Sequence, residues 1–329
     1  MYLILGSAED PCCVQVEQAL RRRGRNVRVL ENIFSETHQF NWRLGGGSFS
    51  RDARCNGTST VESTEWEAHS SEIEGVLFRD SGLSKMGLST INGWSEADAS
   101  YMSSEMQAAL LGWLWSLPGV VVNRLPAWLF LMPRPSLLQW IPLLTRAGLR
   151  VPSVVIGNSK ERLRNWRANH PEGAVLAPIS THTHFALHTD AEWEGVLRLA
   201  GHSTVALQQA HGETQLACVI GNTVVWNKHH RMASAQRQSL DASLLRFAHS
   251  AGLNFVQIAV AEQAEPLSGE LAYAVVSVDS HPDFTLFEEA RQHEITRALT
   301  DLLTGEESRD QNIQLSEAVV TAPLAGGAR

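Results

Sequence analysis

Residues 271–284 read LAYAVVSVDSHPDF. Leu271, Tyr273, Val275 and Val276 are strand formers in a short run. The run closes on Ser277, Asp279 and a turn at Pro282. Ser277 and Asp279 are two apart, so a strand presents both on one face. One is a carboxylate and the other only a hydroxyl, so the pair is either half of a metal site or what remains of one.

Working outward, the preceding sequence is also strand-rich. Strands are expected at 153–156, 174–179, 205–209, 215–220, 223–227 and 254–260, with helices near 159–169, 189–200 and 236–251. A last helix is expected over about 286–303, and the charged, then Ala/Gly-rich residues 305–329 read as a tail. At the other end, Tyr2–Leu5 reads as a buried strand, followed by a helix with Asp10 as cap and Pro11 at its first position. That helix stops at Gly24 before a second strand, Val27–Leu30, which makes a β-α-β opening. Residues 45–72, rich in Gly, Ser, Thr and Glu, read as a long surface loop. Strands are expected at 73–79 and 120–122, and helical spacing returns over 98–115 and 137–147.

The 329 residues suffice for two or three domains. A formal net charge of −8 without a long basic run argues against nucleic acid as a partner. The most apolar stretch, Leu110 to Leu131, is broken by Pro118, Arg124 and Pro126, which excludes a membrane span. The N-terminus reads as a strand rather than a signal peptide. The four cysteines form neither a disulfide framework nor a CxxC pattern, so the expected location is the reducing cytoplasm. Neither GxGxxG nor GxxxxGK[ST] is present.

Four stretches, in order, resemble the ATP-grasp superfamily, and among its branches the ribosomal-protein glutamate ligases and microviridin-type peptide ligases. They are VVNRLPAWLF with LLQWIPLLTRAGLRVPSVVIGNS, then GAVLAPIS, then LQQAHGETQLACVIGNTVVW, then AGLNFVQIAVAEQ with YAVVSVDSHPDF. The resemblance implies an α+β chain. A pre-grasp α/β domain would occupy 1–119, an ATP-grasp-like region of two subdomains 120–304, and a disordered tail 305–329. It also implies a mechanism in which lysines hold the phosphates of ATP and acidic residues hold Mg²⁺ while a carboxylate is activated and joined to an amine.

Position by position, this sequence departs from that chemistry. The strand lysine falls at Ala177 and the earlier lysine near Ser136, with Arg134 the nearest cation. The hinge acid falls at Gln208, whose amide can still bond a base. The hairpin Asp and Arg fall at Thr214 and Leu216. The first metal carboxylate falls at Ala259, and the closing Glu and Asn become Ser277 and Asp279. Arg134, Gln208 and Asp279 are therefore the candidate nucleotide contacts, with Asp279 as the candidate metal ligand. Lys160 and Lys228 are the cations that could compensate by curling into the cleft.

The expected function is a non-catalytic peptide- or partner-binding component beside a peptide-modifying enzyme, without a bound cofactor. The alternative is an active carboxylate–amine ligase using ATP and Mg²⁺. A homodimer is what the resemblance implies. His182 and His184, with His188 nearby, have a spacing that can bind Zn²⁺, but a solvated polar loop is the plainer reading. Cys12, at a helix start, is either reactive or a small buried hydrophobe. Trp113, Trp115, Trp128 and Trp140 read as core, and any exposed subset as an interface.

Overall fold

The computed structural model describes residues 1–34, 38–43, 58–63, 66–80, 95–126, 128–129, 135–179, 184–228, 232–264 and 271–306. In chain order the elements are β1 (Tyr2–Leu5), α1 (Pro11–Arg22), β2 (Val27–Leu30), β3 (His38–Arg43), β4 (Thr58–Ser63), β5 (Trp66–His69), β6 (Gly75–Phe78), α2 (Glu96–Ser116) and β7 (Val120–Val122). There follow α3 (Leu137–Arg146), β8 (Val154–Gly157), α4 (Lys160–Ala168), β9 (Ala174–Leu176), β10 (Phe185–Leu187), α5 (Asp190–Ala200) and β11 (Val205–Gln209). The chain then forms β12 (Thr214–Ile220), β13 (Thr223–Trp226), α6 (Ser234–Ser250), β14 (Phe255–Ala264), β15 (Leu271–Asp279) and α7 (Glu289–Thr304). The fold is α+β.

The first sheet is parallel, in the order β2-β1-β6-β7. Every residue of β1 and β6 is buried, as befits a parallel sheet covered on both faces. Asp10 caps α1 by accepting the Cys12 N–H, Pro11 opens it, and Gly24 at φ 71° ends its turn. The helix buries Cys12, Cys13, Val16 and Leu20. Strand β7 lies beyond residue 119 yet completes this sheet by pairing with β6.

The second sheet, β10-β9-β11-β8, is antiparallel and carries α4 and α5 on one face through Leu163, Trp193, Val196 and Leu197. The third, β13-β12-β14-β15, is antiparallel and rests on α3 and α6 through Trp140, Leu144, Leu244 and Phe247. Its other face meets α7 and α1 through Ile220, Phe255, Ile295 and Leu299. The first and third sheets thus share continuous cores.

Two loop readings need correction. Strands β4 and β5 fall inside the expected 45–72 loop, and with β3 they form a small antiparallel sheet. Among the described residues its anchors include Val61 and Ala68, both buried, Phe40, edge-on to Trp113 at 5.5 Å, and Trp42, which lies against Gly112 of α2. Pairing with tertiary support, rather than β-propensity, makes these strands. Likewise β10 lies in the segment read as a polar histidine loop, and β9 stops at Leu176, short of the expected Ile179. Arg134, His182, Cys55 and residues 307–329 lie outside the described residues. No described helix is long and apolar enough to cross a membrane.

Candidate functional site

The register of the third sheet decides what its second face, the one that meets α7 and α1, presents. Leu216, Ala259 and Ser277 stand directly opposite one another on β12, β14 and β15. Two residues along, Cys218, Gln257 and Asp279 form the next row. Both rows lie on one face, because alternate residues of a strand share a face. A register shift between Ala259 and Val260 gives β15 one extra residue. Val275 pairs with Val260 and faces the α3/α6 core, while Ser277 and Asp279 face the other way. Bulges commonly re-aim side chains in this manner beside sites.

Asp279 sits just before the turn, and its Oδ1 accepts the His281 N–H at 2.8 Å. Gln257 was not anticipated as a site residue, although strand alternation from Ala259 puts it on the same face. Its Oε1 accepts the Asp283 N–H at 3.0 Å, so it buttresses the turn that follows Asp279.

Two further side chains hold this turn. Asn123, 3% exposed, donates from Nδ2 to the carbonyl oxygens of Phe255 at 2.6 Å and Ser280 at 3.3 Å. Its Oδ1 accepts from the N–H groups of Asn254 at 2.8 Å and Phe255 at 2.7 Å. Arg79 donates to Asp10 at 2.9 Å and to the Pro282 carbonyl at 3.0 Å, tying the first sheet to the same turn.

Gln208 lies on β11 between Val154 and Val175. Leu207 beside it faces the α4/α5 core, so Gln208 faces away from those helices. It is fully buried, and neither its Oε1 nor its Nε2 has a hydrogen-bond partner. An unpaired buried amide atom costs about 1–3 kcal/mol, which marks this position as unusual. Gln208 and Asp279 are on different sheets.

The remaining positions are apolar or engaged elsewhere. Ala177 is buried, and its N–H donates to the Ala206 carbonyl at 3.0 Å. Ser136 is buried with its hydroxyl unpaired. Lys160 lies against Gly201 at the end of α5, on the helix-covered side of the second sheet. Lys228 pairs with Glu213 at 3.5 Å, both side chains exposed.

A divalent cation needs several hard oxygen ligands. Among the described residues no group of three or more His, Cys, Asp or Glu side chains could hold one. Around Asp279 the neighbouring positions offer a hydroxyl, an amide, a thiol, a methyl and an isobutyl group, which do not fit a Mg²⁺–phosphate site.

The other sequence candidates sort by burial. Burial pushes the Cys12 thiol up to about 12, against the pull of Arg79, so it stays protonated and packs as a hydrophobe. Trp113 and Trp140 are core residues. Trp115 and Trp128 are more than 40% exposed, and each is nevertheless held, Trp115 by donating to the Leu125 carbonyl and Trp128 by stacking edge-on against Trp140.

No family model matches the sequence, and no curated protein matches it. Solved structures do match. The macrocyclase MdnC of Microcystis aeruginosa MRC, bound with the precursor peptide MdnA, superposes at a TM-score of 0.68 and 14% identity, over 92% of this chain and 99% of that one. A RiPP-associated ATP-grasp ligase of Chryseobacterium gregarium, in complex with ADP and a leader and core peptide, matches at 0.67 and 13%, over 94% and 97%. The ATP-grasp ligase PsnB, complexed with minimal precursor, Mg and ADP, matches at 0.65 and 17%, over 92% and 98%. At these identities the likeness establishes the fold.

Proposed function

Because this chain has the ATP-grasp fold, we propose that it is a non-catalytic member of that architecture, a peptide- or partner-binding component working beside a peptide-modifying enzyme. The observation that carries this reading is the row Leu216–Ala259–Ser277 beside Asp279. Three positions that would steady the anion and hold the metal carry no charge. Transfer of a phosphoryl group depends almost wholly on such charges. A peptide is the favoured partner class, since the similar structures MdnC, PsnB and the Chryseobacterium ligase are complexed with precursor or leader peptides. A cytoplasmic homodimer completes the proposal, and light scattering of the purified chain tests its dimeric part.

The alternative, an ATP- and Mg²⁺-dependent carboxylate–amine ligase, draws support from one observation, the unpaired buried amide of Gln208. Arg134, Gln208 and Asp279 would be its polar contacts. Calorimetry with ATP and ADP, with and without Mg²⁺, separates the two. Absence of binding up to millimolar nucleotide supports the non-catalytic reading. Micromolar, Mg²⁺-dependent binding that disappears in Asp279→Ala overturns it in favour of the ligase.

A further inference from the structure

Away from the cleft face, a cavity of about 330 Å³ opens where the end of α4, the start of β9 and the start of α5 meet. Its size is at the small end of ligand cavities. Its wall carries unlike charges: Arg167 and Glu172 both line it, yet they are not paired, their nitrogen and oxygen atoms being more than 4.0 Å apart. We propose that this cavity binds a free α-amino acid as its zwitterion, with the ligand's carboxylate on Arg167 and its ammonium on Glu172.

Arg167 is prepared for a carboxylate. Its guanidinium lies 4.8 Å from the Trp193 ring centroid, which fixes the plane of its donors. One donor meets Asp190 at 2.7 Å, but the Asp190 side chain is 91% exposed, and such a solvated pair yields readily to a better-placed carboxylate. The remaining guanidinium donors are left for a bidentate partner.

The ammonium has two acceptors. The Glu172 carboxylate has no partner among the described residues. His170 stacks on Trp166 at 4.2 Å and its Nδ1 lies 2.8 Å from the Trp166 carbonyl, an oxygen that only accepts. That carbonyl makes Nδ1 the donor, so in the neutral form of the ring Nε2 is the acceptor. Leu187 and Trp193 supply an apolar wall for the ligand's side chain. A ligand with only one charge would engage only one of Arg167 and Glu172, which is why the whole zwitterion is preferred. This inference stands apart from the nucleotide reading, and neither outcome of the ATP measurement bears on it.

The test is titration of the ¹⁵N-labelled full chain with L-leucine, N-acetyl-L-leucine and L-leucinamide, following the Trp193 indole N–H. The expected result is saturable millimolar binding of L-leucine, weaker by about tenfold or more when either charge is blocked. Glu172→Gln should weaken L-leucine by a similar factor and leave N-acetyl-L-leucine unchanged. Arg167→Gln should weaken L-leucine and leave L-leucinamide unchanged. Glu172 is exposed and unpaired, so its variant leaves folding intact. Equal binding of the three compounds, no saturable shift, or variants without effect would overturn the proposal. So would a leucine-containing tripeptide binding as tightly as leucine, which would make the site one for peptide ends.

Discussion

Asp279 stands directly across the ladder from Gln257, and both brace the same turn, one by accepting the His281 N–H and the other by accepting the Asp283 N–H. The carboxylate at the candidate metal position thus already has a structural partner. Asp279→Ala should lower stability by about 1 kcal/mol, the worth of one hydrogen bond. Asp279→Asn, which keeps an acceptor oxygen, should cost less. Thermal unfolding of the wild type with and without millimolar Mg²⁺ and ATP should give the same midpoint. A Mg²⁺-dependent rise that Asp279→Ala abolishes would contradict the proposed loss of the metal site.

Asn123 joins β7 to the start of β14 and to the turn after β15 through four hydrogen bonds. Asn123→Ala leaves several of those backbone groups unpaired in a buried place. The expected destabilisation is at least about 3 kcal/mol, given about 1–3 kcal/mol for each buried unsatisfied group. Urea titration measures it as a lowered midpoint, and a loss under 1 kcal/mol (roughly one ordinary hydrogen bond) would mean the network does not clamp the turn.

Gly112 sits mid-helix in α2, where alanine is ordinarily favoured by about 1 kcal/mol. Here a Cβ would come 2.6 Å from Cη2 of Trp42. Overpacking costs about 1–3 kcal/mol, so it outweighs the helix gain and Gly112→Ala should destabilise. If Trp42 is what the glycine accommodates, the same substitution in a Trp42→Leu background should become stabilising. A double-mutant cycle by chemical denaturation reads this directly.

Burial raises the pKa of Asp241, opposed by the hydrogen bond from Trp226 and by Arg237. With a folded-state pKa above the unfolded one, the group favours the folded chain below its ordinary pKa. That advantage is lost as pH rises through the folded value. Asp241→Asn keeps an acceptor for the Trp226 indole and removes the buried charge. Relative to wild type it should gain stability at neutral pH, and the gain should shrink on acidification below the folded pKa. A difference that grows as pH falls would show the sign to be wrong.

The strand and helix order of the first and third sheets was legible in the sequence because those segments are strongly patterned. Continuous apolar runs such as YLIL and alternating ones such as those around Asp279 can bury themselves in few ways. The charge deficit at Leu216, Ala259 and Ser277 was equally legible, since residue identity alone removes a charge. The β3–β5 sheet and β10 were not legible, because polar, weakly patterned strands exist only where a partner and a few anchors such as Phe40 and Val61 support them. Nor could spacing alone find the bulge that turns Ser277 and Asp279 away from the α3/α6 core, the placing of Gln257 opposite Asp279, or the meeting of Arg167 and Glu172 around one cavity. Each depends on which segments distant in sequence are brought side by side, and that is set by packing of the whole chain rather than by any one stretch of it.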